Sequence, residues 1–212
     1  MINILLVDDH TIVRDGLKRI ISESSGMEVI AEAENGQIAL ETIYKNSNIN
    51  FVVLDISMPG KSGLEVLKEI KNHNIKLPVL MLSMHAQNQY AIRTLKAGAS
   101  GYLTKESASE LLVEAIRKIH RGGRFINNEV AELLAHNLNE NKFEFAHDQL
   151  SDREYQVMTM IASGKTIVQI SRELNLSDKT ISTYRTRILE KMGLKTNAEI
   201  THYAFSNELV AK

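Results

Sequence analysis

Five polar side chains stand where apolar runs stop: Asp8 and Asp9 after Asn3–Val7, Asp55 after Phe51–Leu54, Ser83 after Pro78–Leu82, and Lys105 after Gly101–Leu103. Three carboxylates brought together repel one another, which raises their pKa values unless a cation neutralises them. A hard, oxygen-seeking Mg²⁺ suits such a set, because it accepts one or two carboxylates, keeps waters and bridges to phosphate oxygen. Lys105 would add a fixed positive charge, and Ser83 a hydroxyl donor. Together these groups stabilise charge on a transferring phosphoryl group. Each has a plainer reading alone: Asp8-Asp9 as a cap of the next helix, Asp55 as a turn residue before Met58-Pro59-Gly60, Ser83 as a cap, Lys105 as a solvated charge. Their recurrence at four strand exits is the stronger signal.

The elements that must position them alternate along residues 1–121. Apolar runs at Asn3–Val7, Glu28–Ala33, Phe51–Leu54, Pro78–Leu82 and Gly101–Leu103 read as strands. Amphipathic stretches at Ile12–Ser24, Gly36–Lys45, Ser62–Asn72, Asn88–Ala97 and Ala108–Arg121 read as helices. Ser62-x-x-Glu65 and Ser107-x-x-Glu110 fit capping boxes at two helix starts. The alternation predicts a flavodoxin-like (βα)5 fold, a parallel sheet in order 2-1-3-4-5 covered by helices on both faces. Ligands then bind outside the carboxyl ends of the strands, where all five polar groups fall.

Gly122 and Gly123 stop the fifth helix, Asn127–Asn137 reads as one more, and polar Asn137–Gln149 reads as a linker. From Leu150 onward no strand pattern appears. Four short helices fit instead, Ser151–Ala162, Thr166–Leu174, Ser177–Met192 and Thr196–Phe205, with Gly164 and Gly193 at left-handed C-caps. Ser151-x-x-Glu154 and Thr196-x-x-Glu199 again resemble capping boxes. The chain is thus read as an α/β domain at 1–122, a partly helical linker at 123–147 and an all-α domain at 148–212.

On the Ser177–Met192 wheel, Ile181, Tyr184, Ile188 and Met192 share one face, while Lys179, Thr183, Thr186 and Glu190 point away, flanked by Ser182 and Arg187. The short Asn175-Leu176 connection to the preceding helix predicts a helix-turn-helix, whose second helix enters the DNA major groove. Ser177–Lys195 holds five basic residues against two acidic, a local +3 on a chain of net charge -1. Lys179, Thr180, Arg185, Arg187 and Lys191 are expected on phosphates, and Ser182, Thr183 and Thr186 at base edges. Charge alone would equally describe an ordinary amphipathic helix with a solvated face.

Composition closes other routes. With 212 residues, 43% hydrophobic and 24% charged, each domain can bury a core. No cysteine means no disulfide, thiolate metal site or cysteine nucleophile. No apolar run is long enough to span a bilayer, which makes the chain a soluble, cytoplasmic protein with no membrane partner. A P-loop is absent, and the adjacent acids Asp8-Asp9 differ from the Asp-x-Asp of a haloacid-dehalogenase-type phosphatase.

Residues 1–121 resemble the receiver domain of two-component response regulators through Asp8-Asp9, Asp55-x-x-Met58-Pro59-Gly60, Ser83 and Gly101-Tyr102-Leu103-Thr104-Lys105. The resemblance implies Asp55 as phosphoacceptor, with Mg²⁺ held by Asp9, more loosely by Asp8, and by Asp55 and the backbone carbonyl of Ser57. It makes Ser83 and Tyr102 the switch pair and Lys105 the site lysine. It places Ser57 and His85 beside the route of attacking water. His10 and His85 themselves read as hydrogen-bonded loop histidines rather than transition-metal ligands. The tail resembles the LuxR-type domain through Leu150-Ser151-x-Arg153-Glu154-x-x-Val157, Ala162-x-Gly164-Lys165, Gln169-Ile170-Ser171, Leu174-Asn175-Leu176-Ser177-x-Lys179-Thr180-Ile181 and Arg187-Ile188-x-x-Lys191-Met192. Receiver plus such a domain is the NarL/FixJ class. The class implies a sensor histidine kinase as donor, promoter DNA, a homodimer on phosphorylation, RNA polymerase as a further candidate partner, and no turnover enzyme beyond Mg-dependent self-phosphorylation and dephosphorylation. Many relatives carry lysine where this chain has Ser182, so their base preferences do not transfer.

Overall fold

A computed structural model describes residues 1–73, 76–84, 88–126, 131, 145–207 and 209–210, and it divides into two compact units, Met1–Leu133 and Leu134–Lys212. The first unit has strands β1 Ile2–Val7, β2 Met27–Ala33, β3 Phe51–Asp55, β4 Val79–Ser83 and β5 Gly101–Thr104. All pair in parallel, in spatial order β2-β1-β3-β4-β5. Helices α1 Thr11–Ser22, α2 Gly36–Lys45, α3 Gly63–Asn72, α4 Asn88–Lys96 and α5 Lys105–His120 connect them. The expected flavodoxin-like fold is therefore the observed one.

The sheet is buried on both faces because helices cover both. Ile4, Leu6, Phe51, Val53, Leu80, Leu82 and Leu103 pack with Leu17 and Ile21 of α1 and with Leu112, Ala115, Ile116 and Ile119 of α5. The alternate residues Leu5, Val52, Leu54 and Met81 are equally buried, which explains why these strands read as continuous apolar runs. Ser62 and Glu65 form the expected capping box on α3. The box expected at Ser107 does not form. α5 starts three residues earlier than its apolar period, at Lys105, and Thr104 is its N-cap, accepting from the Ser107 N–H. Two hydroxyls lay within one turn, and the one at the end of β5 took the position. Phe125 N–H donates to the Ser100 carbonyl and Tyr102 N–H to that of Phe125, so the segment after the Gly122-Gly123 stop returns to the edge of the sheet.

Among the described residues the second unit has four α-helices: α6 Asp152–Ala162, α7 Ile167–Leu174, α8 Asp178–Met192 and α9 Asn197–Ser206. The Ser151 and Glu154 capping box is present on α6. At α9 half of the expected box forms: Thr196 accepts from Glu199 N–H, while the Glu199 carboxylate accepts from Lys195 N–H. Gly193 caps α8 in the left-handed region at φ 67, and Gly164 has φ 83 just beyond α6. Where composition read a polar linker, Ala146–Gln149 forms a 3-10 helix. Its His147 is buried, with Nδ1 2.9 Å from the Tyr203 hydroxyl and the ring stacked on Phe145. Residues 127–130 and 132–137 of the helix expected at Asn127–Asn137, and His85, lie outside the described residues.

Candidate functional site

The β1–β3 register sets Val7 beside Leu54, so Asp8 and Asp55 emerge from the sheet as neighbours. Both are fully buried. Lys105, on the first turn of α5, reaches back between them: its Nζ lies 2.6 Å from Asp8 Oδ2 and 2.8 Å from Asp55 Oδ2. Its side chain is 7% exposed, which removes the solvated-charge reading. Burial pushes the Asp55 carboxyl up to about 6; Lys105 opposes that rise and the Asp8 carboxylate adds to it. On Lys105 burial acts downward, but Asp55 and Asp8 outweigh it and hold its pKa above the usual lysine value. Asp55 is thus a carboxylate ionised with difficulty, beside a lysine held in its charged form.

Asp9 completes the acidic group. Ligand atoms of Asp8, Asp9, His10 and Asp55 all lie within 4.8 Å of one another, a set that could hold a metal ion. Asp9 Oδ1 is buried and receives no well-aligned hydrogen bond, having only His10 Nδ1 at 2.9 Å. Crowded carboxylate oxygens with an under-satisfied acceptor fit a hard divalent cation. The pair does not cap α1: His10 holds the N-cap position without a side-chain cap bond, and its N–H donates to Asp8 Oδ1 at 2.8 Å. Ser57 follows Asp55 closely, its N–H donating to Asp55 Oδ1 at 3.3 Å. The loop between them folds back hard. A Cβ on Gly63 would stand 1.9 Å from the Asp55 carbonyl oxygen, so only glycine lets α3 start this close to the site.

Ser83, at the end of β4, is buried, and Tyr102 on β5 is 9% exposed. A side-chain hydrogen bond joins them, and burial pushes the Tyr102 phenol up to about 12. Of the switch pair that the resemblance implies, the Tyr102 ring lies inside. Arg14 is a site residue that sequence reasoning missed. Its Nη1 donates to the Asp8 carbonyl at 2.6 Å, with 13% of the side chain exposed. The available signal was its place one helical turn after His10.

In the second unit, α7 ends at Asn175 in the left-handed region, φ 52, and Ser177 caps α8 by accepting from the Thr180 N–H. Ser171 Oγ donates to Asp178 Oδ1 across this turn. Ile170, Leu174, Ile181, Ile188 and Met192 are buried between the helices. Lys179, Ser182, Thr183, Thr186, Arg187 and Glu190 are exposed, whereas Thr180, Tyr184 and Arg185 are half-buried. Tyr184, expected in the core, lies at its edge. Two cations expected on phosphates also hold the fold: Lys191 Nζ is 2.6 Å from Oε2 of buried Glu154, and Arg185 Nε donates to Asn197 Oδ1 at 2.6 Å.

Residues 4–117 match the family model of the response regulator receiver domain, and residues 148–204 that of the luxR family of bacterial regulatory proteins. The chain is 38% identical over 210 residues to response regulator UvrY of Escherichia coli K12, covering 99% of this chain and 96% of that one. It is 33% identical over 211 residues to response regulator GacA of Pseudomonas aeruginosa, covering 99% and 98%. Among solved structures it is similar to the RcsB response regulator of Salmonella typhimurium, at TM-score 0.61 and 26% identity over 96% of this chain and 98% of that one. A structure of the RcsB–DNA complex gives TM-score 0.59 and 26% identity over 97% and 98%.

Proposed function

Since this chain belongs to the NarL/FixJ class of response regulators, phosphorylation-dependent DNA-binding transcription regulators, we propose that its control runs through Asp55 in the receiver and is read out by α8 on DNA. The receiver spans 1–122 and the DNA-binding domain 148–212, joined by 123–147. The observation that carries the reading is Lys105 Nζ seated between Asp8 and Asp55 at the carboxyl ends of β1 and β3.

A phosphoryl group on phosphohistidine of a sensor kinase is attacked by an Asp55 carboxylate oxygen, the P–N bond breaking as the P–O bond forms. Asp8, Asp9, Asp55 and the Ser57 carbonyl would hold Mg²⁺, which supplies charge neutralisation to the three carboxylates and the incoming phosphoryl oxygens. Lys105 supplies a second, permanent positive charge, and Ser83 a hydroxyl for a phosphoryl oxygen. Drawing Ser83 toward that oxygen changes its bond to Tyr102, and so the β4–α4 surface, a local event with a wider readout. The phosphorylated chain dimerises in the cytoplasm and binds promoter DNA. Ser182, Thr183 and Thr186 meet base edges, while Lys179, Thr180, Arg185, Arg187 and Lys191 engage phosphates.

Acetyl phosphate tests the first step. Intact-mass spectrometry is expected to show one added phosphoryl group with Mg²⁺ and none with EDTA. Asp55→Asn abolishes the addition, and Lys105→Ala leaves it without the downstream response. An unchanged phosphoryl yield in Asp55→Asn would show that another residue is the acceptor.

A further inference from the structure

The outward stripe of α8 has an unusual stock of hydrogen-bonding groups. Its exposed members along successive turns are Lys179, Ser182, Thr183, Thr186, Arg187 and Glu190. The side chains that read bases bidentately are arginine, asparagine and glutamine, with lysine a frequent reader of guanine. Of these the stripe holds Lys179 at its start and Arg187 toward its end, and between them the exposed groups are hydroxyl side chains. Both threonines, moreover, have committed their hydroxyl protons. Thr183 Oγ1 donates to the Lys179 carbonyl at 2.9 Å, and Thr186 Oγ1 to the Ser182 carbonyl at 3.1 Å. Threonine is the β-branched residue able to make this bond to the preceding turn, and making it fixes its rotamer.

A hydroxyl that donated to a base would first have to abandon its helix carbonyl, exchanging one hydrogen bond for another with little gain. What each threonine offers the groove at no such loss is its γ-methyl and the oxygen lone pairs. In the major groove the partner for a methyl is the C5-methyl of thymine, which no other base carries. The hydrogen-bond geometry therefore narrows a general base-edge role to one chemistry.

We propose that α8 recognises its half-site through thymine 5-methyl groups, with Thr183 and Thr186 as the specificity-determining residues. This rests on the DNA-binding role of α8 set out above. Because Thr183 and Thr186 are one turn apart, they read positions on adjacent or next-adjacent base pairs. The half-site core is then A·T-rich, with its thymines on defined strands.

The experiment uses the full-length chain, phosphorylated with acetyl phosphate and Mg²⁺, and duplexes recovered by binding-site selection. Thymines of the selected half-site are replaced singly by deoxyuridine, which removes the methyl group and leaves every hydrogen-bonding edge intact. Fluorescence anisotropy is expected to show about a fourfold loss of affinity at each contacted thymine, the factor equivalent to about 0.8 kcal/mol for one buried carbon. Thr183→Ser keeps the hydroxyl and deletes the methyl; it should bind the thymine and deoxyuridine duplexes alike at the position Thr183 reads. Thr183→Val keeps the methyl and deletes the hydroxyl; it should retain wild-type affinity within about twofold and keep its preference for thymine. Both positions are exposed, and circular dichroism checks that the variants stay folded. Deoxyuridine binding as tightly as thymine at every position overturns the proposal, as does Thr183→Val losing as much as Thr183→Ser. If no duplex is recovered by selection, the DNA-binding role of α8 fails first and this inference with it.

Discussion

At the scale of single residues, burial holds Asp55 well away from its ordinary state. It is an acid with a higher pKa folded, about 6, than its usual 3.8. Between those values the native state holds more protons than the unfolded chain, so stability falls as pH rises through the window. Two pKa units correspond to about 2–3 kcal/mol. Asp55→Asn removes the burdened charge. Without divalent cations it should be more stable than the parent by about that much near pH 7.5, with the gap closing as pH falls below about 4. Urea unfolding of both chains at the two pH values measures this; an equal gap at both would remove Asp55 as its source. Mg²⁺ should narrow the gap at neutral pH, because it stabilises the ionised acid only in the parent. His10 and Arg14 belong to the same scale. Both lie against the Asp8-Asp9 loop, and the one-turn spacing from His10 to Arg14 was the signal, although an arginine on an amphipathic helix ordinarily faces water.

At the scale of elements, the contacts that matter are those by which one segment constrains another. α3 begins against the main chain of Asp55 because residue 63 is glycine. Gly63→Ala would force backbone against backbone, and overpacking of that kind costs about 1–3 kcal/mol. A slower Mg-dependent phosphoryl uptake should accompany the lost stability, read by the same intact-mass time course. In the second unit, Lys191 and Arg187 lie on the same helix with different duties. Lys191 neutralises Glu154, a carboxylate 3% exposed whose pKa is lowered despite burial because Lys191 and the Ser151 groups bond to it. Lys191→Ala leaves that charge without its cation and should lower the melting temperature. Arg187 is exposed, and Arg187→Ala should leave melting unchanged. It should weaken binding to all duplexes alike, with the salt dependence of the binding constant flattened by roughly one unit of slope. Calorimetry and salt-titrated anisotropy separate the two; a melting shift in Arg187→Ala would place it in the fold instead.

At the scale of the whole molecule, the proposed function requires that phosphorylation of Asp55 change what α8 can do, although the two belong to separate units. A single domain with few cations on its DNA-facing helix binds weakly, so useful affinity needs two copies. On the proposed function, dimerisation promoted by phosphorylation would provide them. Analytical ultracentrifugation is expected to show a shift from monomer to dimer with acetyl phosphate and Mg²⁺, absent in Asp55→Asn. An unchanged sedimentation coefficient would count against dimerisation as the link. Half-site centres about 10–10.5 bp apart follow if the two recognition helices enter successive major grooves. Inserting about five base pairs between them turns one helix to the opposite side of the duplex and should abolish cooperative binding.

The amino-acid sequence by itself determined what depends on local periodicity and on hydrogen bonds within one turn. Continuous apolar strands, helices of 3.6 period, the Ser62 and Ser151 capping boxes and the polar residues at strand ends were legible because each signal spans few residues. Parallel strands followed from the alternation of strand and helix, and the flavodoxin-like strand order expected with them gathers the strand-end groups at one crevice. Packing decided the rest. That Lys105 closes on Asp55, 50 residues away, depends on α5 starting at the end of β5, and there Thr104 displaced Ser107 as the cap. That His147 is core rather than linker depends on Tyr203, 56 residues along the chain, and on Tyr155 lying beside it. Residue types set which bonds are available, but a residue with two potential partners takes the one that the strand register and the buried surface bring within about 3 Å.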